Sequence, residues 1–336
     1  MLNQNSQFMQ LAIKEAWKYQ LLTYPNPAVG ATVVQNNIVL SVESHKCAGL
    51  PHAEVNALKE AYLTKYKNSE LINLTTSHEI HNFLTQNHND FFKNCEIYVT
   101  LEPCNHIGKT PACSILLESI GIKKVYVGTL DPNNEASGGK QRLLNAGIEV
   151  EVGICKEQTD ELLYPFIKWQ NDSFTFFKLA MREDGTVDGG YITTKESLTL
   201  VHEIRTKIDL MVIGGQTVRI DKPTLDARFA SQNIAPNILI YSKQTEFSKD
   251  IPLFNIKNRD VIISSNLELL NKSNFTMIEG GYNLLDRLKD KCDYVVLFVS
   301  HKIKSKEIFD IETFNYIKVH SYNINDDDEI IFLRKK

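Results

Sequence analysis

Apolar positions along the chain recur with two periods, and the switches between them outline the elements. Over residues 6–22, Phe8, Leu11, Ala12, Ala16 and Tyr19 repeat at helical spacing. They predict an amphipathic helix, broken by Tyr24-Pro25-Asn26-Pro27. Ala28–Val34 and Ile38–Val42 are β-branched runs on either side of Asn36-Asn37, the pattern of paired strands. His52–Tyr62 predicts a helix with His52 and Glu54 in its first turn. Ile97–Leu101 is a strand running into Glu102-Pro103-Cys104, and Cys113–Ser119 starts a second helix. A strand at Lys123–Gly128, a loop over 131–139, a further helix and a strand at Ile148–Val152 follow. Alternating β and α elements imply a three-layer α/β/α domain, with two helix N-termini meeting at the sheet edge. Residues 64–93 interrupt the alternation; they are polar, hold His78, His81 and His88, and read as a solvated surface insertion.

The composition shifts after Gly153. Glu157–Trp169 reads as a linking helix, Phe174–Leu179 as a strand, Met181–Gly185 as a turn and Leu198–Lys207 as a helix. Leu210–Ile213 is a strand closed by Gly214-Gly215. Ile238–Tyr241, Val261–Ser264, Thr276–Ile278 and Tyr294–Val299 are further short strands. Asp326–Asp328 reads as a solvated acidic turn before a final strand. The expectation is a second α/β domain, with domains at 1–150 and 151–336.

Length and charge narrow the classes. A chain of 336 residues with a net charge of −4 has room for two cores and no global basic footprint for nucleic acid. No apolar run approaches the ~18 residues of a membrane span. The first residues lack the pattern of a signal peptide, so the expectation is a cytoplasmic chain with reduced thiols. Four of the six cysteines, Cys47, Cys95, Cys155 and Cys292, show no ligand spacing and are expected to pack.

The chemistry concentrates in His52-Ala-Glu54, Pro103-Cys104 and Cys113. One imidazole and two thiolates are three zinc ligands, which leaves a tetrahedral position open for water. Glu54 is placed as the general acid/base of a zinc deaminase. Eight residues separate the cysteines, where ordinary deaminases of this type have two. In the second half, Gly214-Gly215 and Gly280-Gly281 each follow a strand and would let backbone amides approach a phosphate. Arg205 and Arg228 are candidates for clamping a phosphate bidentately. A Rossmann domain is disfavoured because no G-x-G-x-x-G is present.

Taken together, the motifs resemble the bifunctional riboflavin-biosynthesis deaminase/reductase family. NPAVG at 26–30, HKCAGLPHAE at 45–54, TLEPCNHIGKTPAC at 100–113, DPN at 131–133 and NAGI at 145–148 carry the first half. Phe177–Ala180 with Asp184-Gly185, Ile192–Thr194, His202–Arg205, Gly214–Val218, Asp221–Arg228 and Glu279–Gly281 carry the second. Departures are Ala112, Tyr191, Leu198 and Lys222, the long 64–93 segment, and a missing Pro-Lys-Leu stretch after Asp293. The resemblance implies a cytidine-deaminase-like domain followed by a dihydrofolate-reductase-like α/β domain. It implies deamination of a phosphorylated aminopyrimidine, then NADPH-dependent reduction of its ribosyl group. Zn²⁺ would sit on His52, Cys104 and Cys113, with Glu54 catalytic and Asn26 and His45 lining the pyrimidine pocket. Arg205, Leu225, Arg228 and Glu279 would touch the second substrate. Lys178, Ala180, Tyr191, Thr193, Thr217, Asp221, Gly280 and Gly281 would frame NADPH. No nucleic acid or membrane partner is expected, and a homo-oligomer is left open. The alternatives are a deaminase with a degenerate reductase half, a nucleic-acid-editing deaminase, and a zinc-stabilised binding module.

Overall fold

The computed structural model describes residues 3–106, 108, 110–133, 137–187, 190–303 and 315–336. Residues 134–136 of the expected 131–139 loop lie outside the described residues. The chain divides into two compact units, Met1–Ile167 and Lys168–Lys336. The expected linking helix is α6 (Lys156–Asn171).

In the first unit, helix α1 spans Gln4–Trp17, capped by the Asn3 side chain accepting from the Ser6 amide. It ends short of the predicted 22, and its buried face differs from the expected one. Leu11 is exposed, whereas Met9, Ala12, Ile13 and Trp17 are buried. Its apolar residues form two overlapping stripes, and close approach to the sheet selects one. A Cβ on Gly30 would lie 2.0 Å from the Ala12 carbonyl oxygen, so only glycine lets the helix seat there. Strands β1 (Gly30–Gln35) and β2 (Ile38–Ser44) pair antiparallel as expected. The turn residues Asn36 and Asn37 adopt positive φ, which asparagine tolerates. With β3 (Cys95–Leu101), β4 (Lys124–Thr129) and β5 (Glu149–Val152) they form a sheet ordered β2-β1-β3-β4-β5.

Helices α2 (Ala53–Lys65) and α4 (Cys113–Ser119) pack with Ala31, Val33, Ile97, Val125 and Val127 on one face of this sheet. α1 takes the other face, where Phe8 meets Tyr98 at a ring separation of 5.3 Å. The three layers therefore follow from strand alternation. β3 is the central strand, so the meeting of helix N-termini falls at its carboxyl end and not at an edge of the sheet.

The 64–93 segment is packed and not a solvated insertion. It contains helix α3 (Ser77–Asn87), opened by a capping box between Thr76 and Glu79. Leu71, Ile80, Leu84, Phe91 and Phe92 are buried in the core of the unit. Phe83, Phe91 and Phe92 surround Tyr62. Few apolar residues in a polar stretch suffice, because Ile80 and Leu84 share one helix face.

In the second unit, β6 (Phe174–Arg182), β7 (Leu210–Gly214), β8 (Asn237–Tyr241), β9 (Val261–Ser264), β10 (Phe275–Glu279) and β11 (Tyr294–Ser300) run parallel. β12 (Tyr316–Asn323) and β13 (Asp328–Lys335) add an antiparallel hairpin, giving the order β12-β13-β11-β6-β10-β7-β8-β9. The sequence reading placed one final strand here; β12 escaped it because YIKVHSYN is mostly exposed or half-exposed. β6 also runs on through the start of the expected turn, to Arg182.

Helix α7 (Lys195–Arg205) begins at Thr194, and α8 (Gly215–Asp221) and α9 (Tyr282–Leu288) follow β7 and β10 directly. Asp328 is not a solvated turn residue. It is fully buried, and its carboxylate accepts from the Thr194 amide, the Thr194 hydroxyl and the Ser197 hydroxyl, so it clamps the start of α7.

Candidate active sites in the two units

In the first unit the ligand candidates converge from separate elements. His52 is the N-cap residue of α2, Cys104 lies three residues beyond β3, and Cys113 opens α4. His52 Nδ1 lies 3.6 Å from Cys104 Sγ and 3.4 Å from Cys113 Sγ, and the three donor atoms fall within 4.8 Å of one another. Zinc bonds of about 2.0 Å to nitrogen and 2.3 Å to sulfur, at a tetrahedral angle, would set N and S about 3.5 Å apart. The donor set therefore fits a zinc ion without rearrangement. The Cys113 amide, at the start of α4, points at Cys104 Sγ at 3.4 Å, and such a donor stabilises thiolate. The Cys113 thiol and then His52 pull Cys104 down despite its burial, while Cys113 itself is pushed up by its partner and by burial. His52 Nε2 faces Thr110 Oγ1 at 3.4 Å, which holds the ring on its unliganded side.

Glu54 stands in the first turn of α2 and is 3 % exposed. Burial pushes its carboxyl up to about 7, against the pull of His52. A carboxyl poised near neutrality can both take and give a proton. Asn26 and His45 are brought together: Asn26 Nδ2 lies 3.0 Å from His45 Nε2. The other ring nitrogen, Nδ1, is 3.1 Å from the Pro51 carbonyl, which can only accept. Burial also lowers His45 to about 4. A neutral ring donating to Pro51 must accept from Asn26, which leaves the Asn26 amide oxygen as the outward acceptor. The His45 and His52 rings meet edge to face, with centroids 5.4 Å apart, so the pair borders the ligand cluster.

Glu102, which the TLEPC motif contains, ties the local backbone together. Its carboxylate accepts from the amides of Asp131, Gly138 and Lys140, tying the end of β3 to α5 (Gly139–Asn145). His81 is the buried histidine of the 64–93 segment. Its pKa is lowered, first by burial, and it lies beside the Ala112 backbone that precedes Cys113.

In the second unit the parallel register puts Lys178 of β6 opposite Glu279 of β10. Lys178 Nζ lies 2.9 Å from Glu279 Oε1, and Arg205 Nη2, from the last turn of α7, lies 2.9 Å from Oε2. Burial works against this carboxylate, yet Lys178 and Arg205 hold it down at about 2. Arg205 Nη1 reaches the Asp226 carbonyl at 3.1 Å and His202 Nε2 at 3.3 Å. The Asp226 carboxylate in turn accepts from Arg228 Nε at 2.9 Å. Arg205, Leu225, Arg228 and Glu279 are thus assembled around one loop, although the terminal nitrogens of Arg205 already have partners. Asp226 and His202 are the members that sequence reasoning did not place; burial lowers His202 to about 4.

The cofactor candidates are more dispersed. Gly214-Gly215 and Gly280-Gly281 lie at the carboxyl ends of the neighbouring strands β7 and β10. A Cβ on Gly280 would come 2.7 Å from the end of the Leu284 side chain, which would have to shift, whereas a Cβ on Gly281 meets nothing within 4 Å. That opening leaves room for a phosphate-bearing cofactor against the backbone. Ala180 shares a strand face with Lys178. Thr217 and Asp221 lie on α8, Thr193 borders the clamped start of α7, and Tyr191 is 80 % exposed.

Residues 2–129 match the cytidine and deoxycytidylate deaminase zinc-binding region family. Riboflavin biosynthesis protein RibD of Aquifex aeolicus is 34% identical over 296 residues, covering 84% of this chain and 76% of that protein. The RibD protein of Synechocystis sp. is 37% identical over 212 residues, covering 60% of this chain and 50% of that one. Among solved structures, a diaminohydroxyphosphoribosylaminopyrimidine deaminase/5-amino-6-(5-phosphoribosylamino)uracil reductase from Thermotoga maritima superposes with a TM-score of 0.64 at 27% identity, over 99% of both chains.

Proposed function

Since the chain belongs to the RibD family of riboflavin biosynthesis proteins, we propose that its two units catalyse consecutive steps of that pathway. The first is hydrolytic deamination of 2,5-diamino-6-ribosylamino-4(3H)-pyrimidinone 5′-phosphate. The second is NADPH-dependent reduction of the ribosyl group to ribityl. The observation that carries the reading is the convergence of His52 Nδ1, Cys104 Sγ and Cys113 Sγ beside a buried carboxyl held near neutrality at Glu54.

His52, Cys104 and Cys113 would hold zinc, which when bound would make a water available as a nucleophile near neutral pH. Glu54 takes one proton of that water and gives it to the ring nitrogen as oxygen bonds to the amine-bearing carbon; as the C–N bond breaks it takes the second, hydroxyl proton and gives it to the amine, which leaves as ammonia. Asn26, oriented through His45, presents its amide oxygen to an N–H of the pyrimidine. The Cys113 amide at the start of α4 favours the charged form of the Cys104 thiolate.

In the second unit NADPH supplies, when bound, a hydride for C1′ of the opened ribose. The backbone at Gly280-Gly281, with Lys178, Ala180, Tyr191, Thr193, Thr217 and Asp221, frames the cofactor. Glu279 stays ionised throughout, so it orients a sugar hydroxyl as acceptor and does not act as an acid. Leu225 and Arg228 border the substrate, with Arg228 facing its phosphate.

The test supplies purified protein with zinc, the deaminase substrate and NADPH, and follows ammonia release and NADPH absorbance together. Both signals are expected. Ammonia without NADPH loss would leave a deaminase with a degenerate reductase half, and neither signal would refute the substrate.

A further inference from the structure

The loop at 223–226 is held by a residue from outside the assembled cluster. Arg259 Nη1 donates to the Leu225 carbonyl at 2.7 Å. Its Nη2 donates to the Thr224 carbonyl at 2.8 Å and the Leu253 carbonyl at 2.6 Å. The Leu253 amide closes the strap by donating to the Pro223 carbonyl at 3.2 Å. Among the described residues no carboxylate pairs with Arg259. Burial lowers its pKa to about 10, so the guanidinium remains charged at neutral pH.

A half-buried cation whose hydrogen bonds go only to carbonyls is a costly anchor, and here it restrains a strained backbone. Leu225 is 6 % exposed and sits at φ 53°, a region that bulky L-residues avoid. The next residue, Asp226, gives its carbonyl to Arg205 and its carboxylate to Arg228. The strained turn therefore sets where both arginines point.

We infer that Arg259 is a positioning residue for the reductase substrate: its fork holds Leu225 at positive φ and so fixes Asp226, Arg205 and Arg228 in register with Glu279. This rests on the reductase reading above. Lysine cannot replace the fork, because one ammonium does not span three carbonyls as a planar guanidinium does.

The test compares Arg259→Gln and Arg259→Lys in the full-length, zinc-loaded protein. A loop shifted by about 1 Å predicts a fall in kcat/KM for the phosphorylated ribosylaminouracil of about tenfold to 10²-fold. The loss should appear mainly in KM, with the KM for NADPH within about twofold and ammonia release unchanged. Arg259→Lys should lose nearly as much. Amide exchange over 224–230 should accelerate about tenfold or more in both variants, independently of turnover. A folded variant with unchanged substrate KM and unchanged exchange overturns the inference. So does full recovery in Arg259→Lys, which would reduce the role to charge. If Arg259→Gln does not fold, Arg259→Lys decides alone. If the wild-type protein consumes no NADPH, the reductase reading fails, while the exchange comparison still decides the role of Arg259.

Discussion

Two buried glutamates, one in each unit, are driven in opposite directions. Glu54 is pushed up to about 7 because burial outweighs its one cationic neighbour. Glu279, partly buried, is held down at about 2 because Lys178 and Arg205 outweigh its burial. The same side chain is left near neutrality in one unit and ionised in the other. The neighbours set the direction: Glu54 has one cationic neighbour, and Glu279 has two.

The strongest way to break the contrast is Glu54→Gln. A general acid/base contributes about 10²–10⁴-fold, so ammonia release should fall by that factor. NADPH consumption with the pre-deaminated substrate should persist, and zinc should stay at one per chain by metal analysis. Loss of zinc from a folded variant would place Glu54 among the supports of the metal and not among the proton carriers.

Glu279→Gln tests the other side. The amide leaves Lys178 and Arg205 crowded without a counter-charge, at a cost of about 3 kcal/mol, read as a lower denaturant midpoint together with loss of NADPH turnover. The pH dependence sharpens it. The folded pKa of Glu279 lies below the usual 4.5, so its contribution is fully present above that value and is lost as pH falls towards about 2. The wild-type protein should shed up to about 3 kcal/mol over that window, and Glu279→Gln should not. Parallel pH profiles for the two proteins would mean that the triad does not hold in solution.

The first site was more legible than the second for the same reason that its glutamate differs. His52 and Glu54 share the start of α2, and Cys104 and Cys113 flank the start of α4 nine residues apart, so each half of the site is a short motif that the chain itself displays. The second cluster is built by strand register: Lys178 meets Glu279 across 101 residues, and Arg259 meets Leu225 across 34. No local pattern marks such pairs. Both α/β layers were readable from alternation. The hairpin strand β12 was not, because its side chains sit half in water. Asp328 was misread because three consecutive acids look solvated, and only the fold reveals that the last one turns inward.

That turn predicts a smaller effect. Asp328→Ala removes the acceptor for Thr194 and Ser197 at the start of α7. It should cost about 2 kcal/mol in the denaturant midpoint. The KM for NADPH should rise as well, since Thr193 borders the released segment. An unchanged midpoint would return Asp328 to the solvated surface that its neighbours suggest.

The smallest effect belongs to the segment read least well. Thr76 and Glu79 close the capping box of α3, whose Ile80 and Leu84 are buried in the core of the first unit. Because that helix is packed, Thr76→Ala should lower stability by about 1 kcal/mol, visible in the denaturant midpoint. Zinc content and ammonia release should not move, because no atom of the box touches the ligand cluster. A surface insertion would fray freely, and removing its cap would leave the midpoint where it was. The variant thus separates a helix that completes the core from one that merely decorates it, and it does so without disturbing the carboxyl on which the deaminase depends.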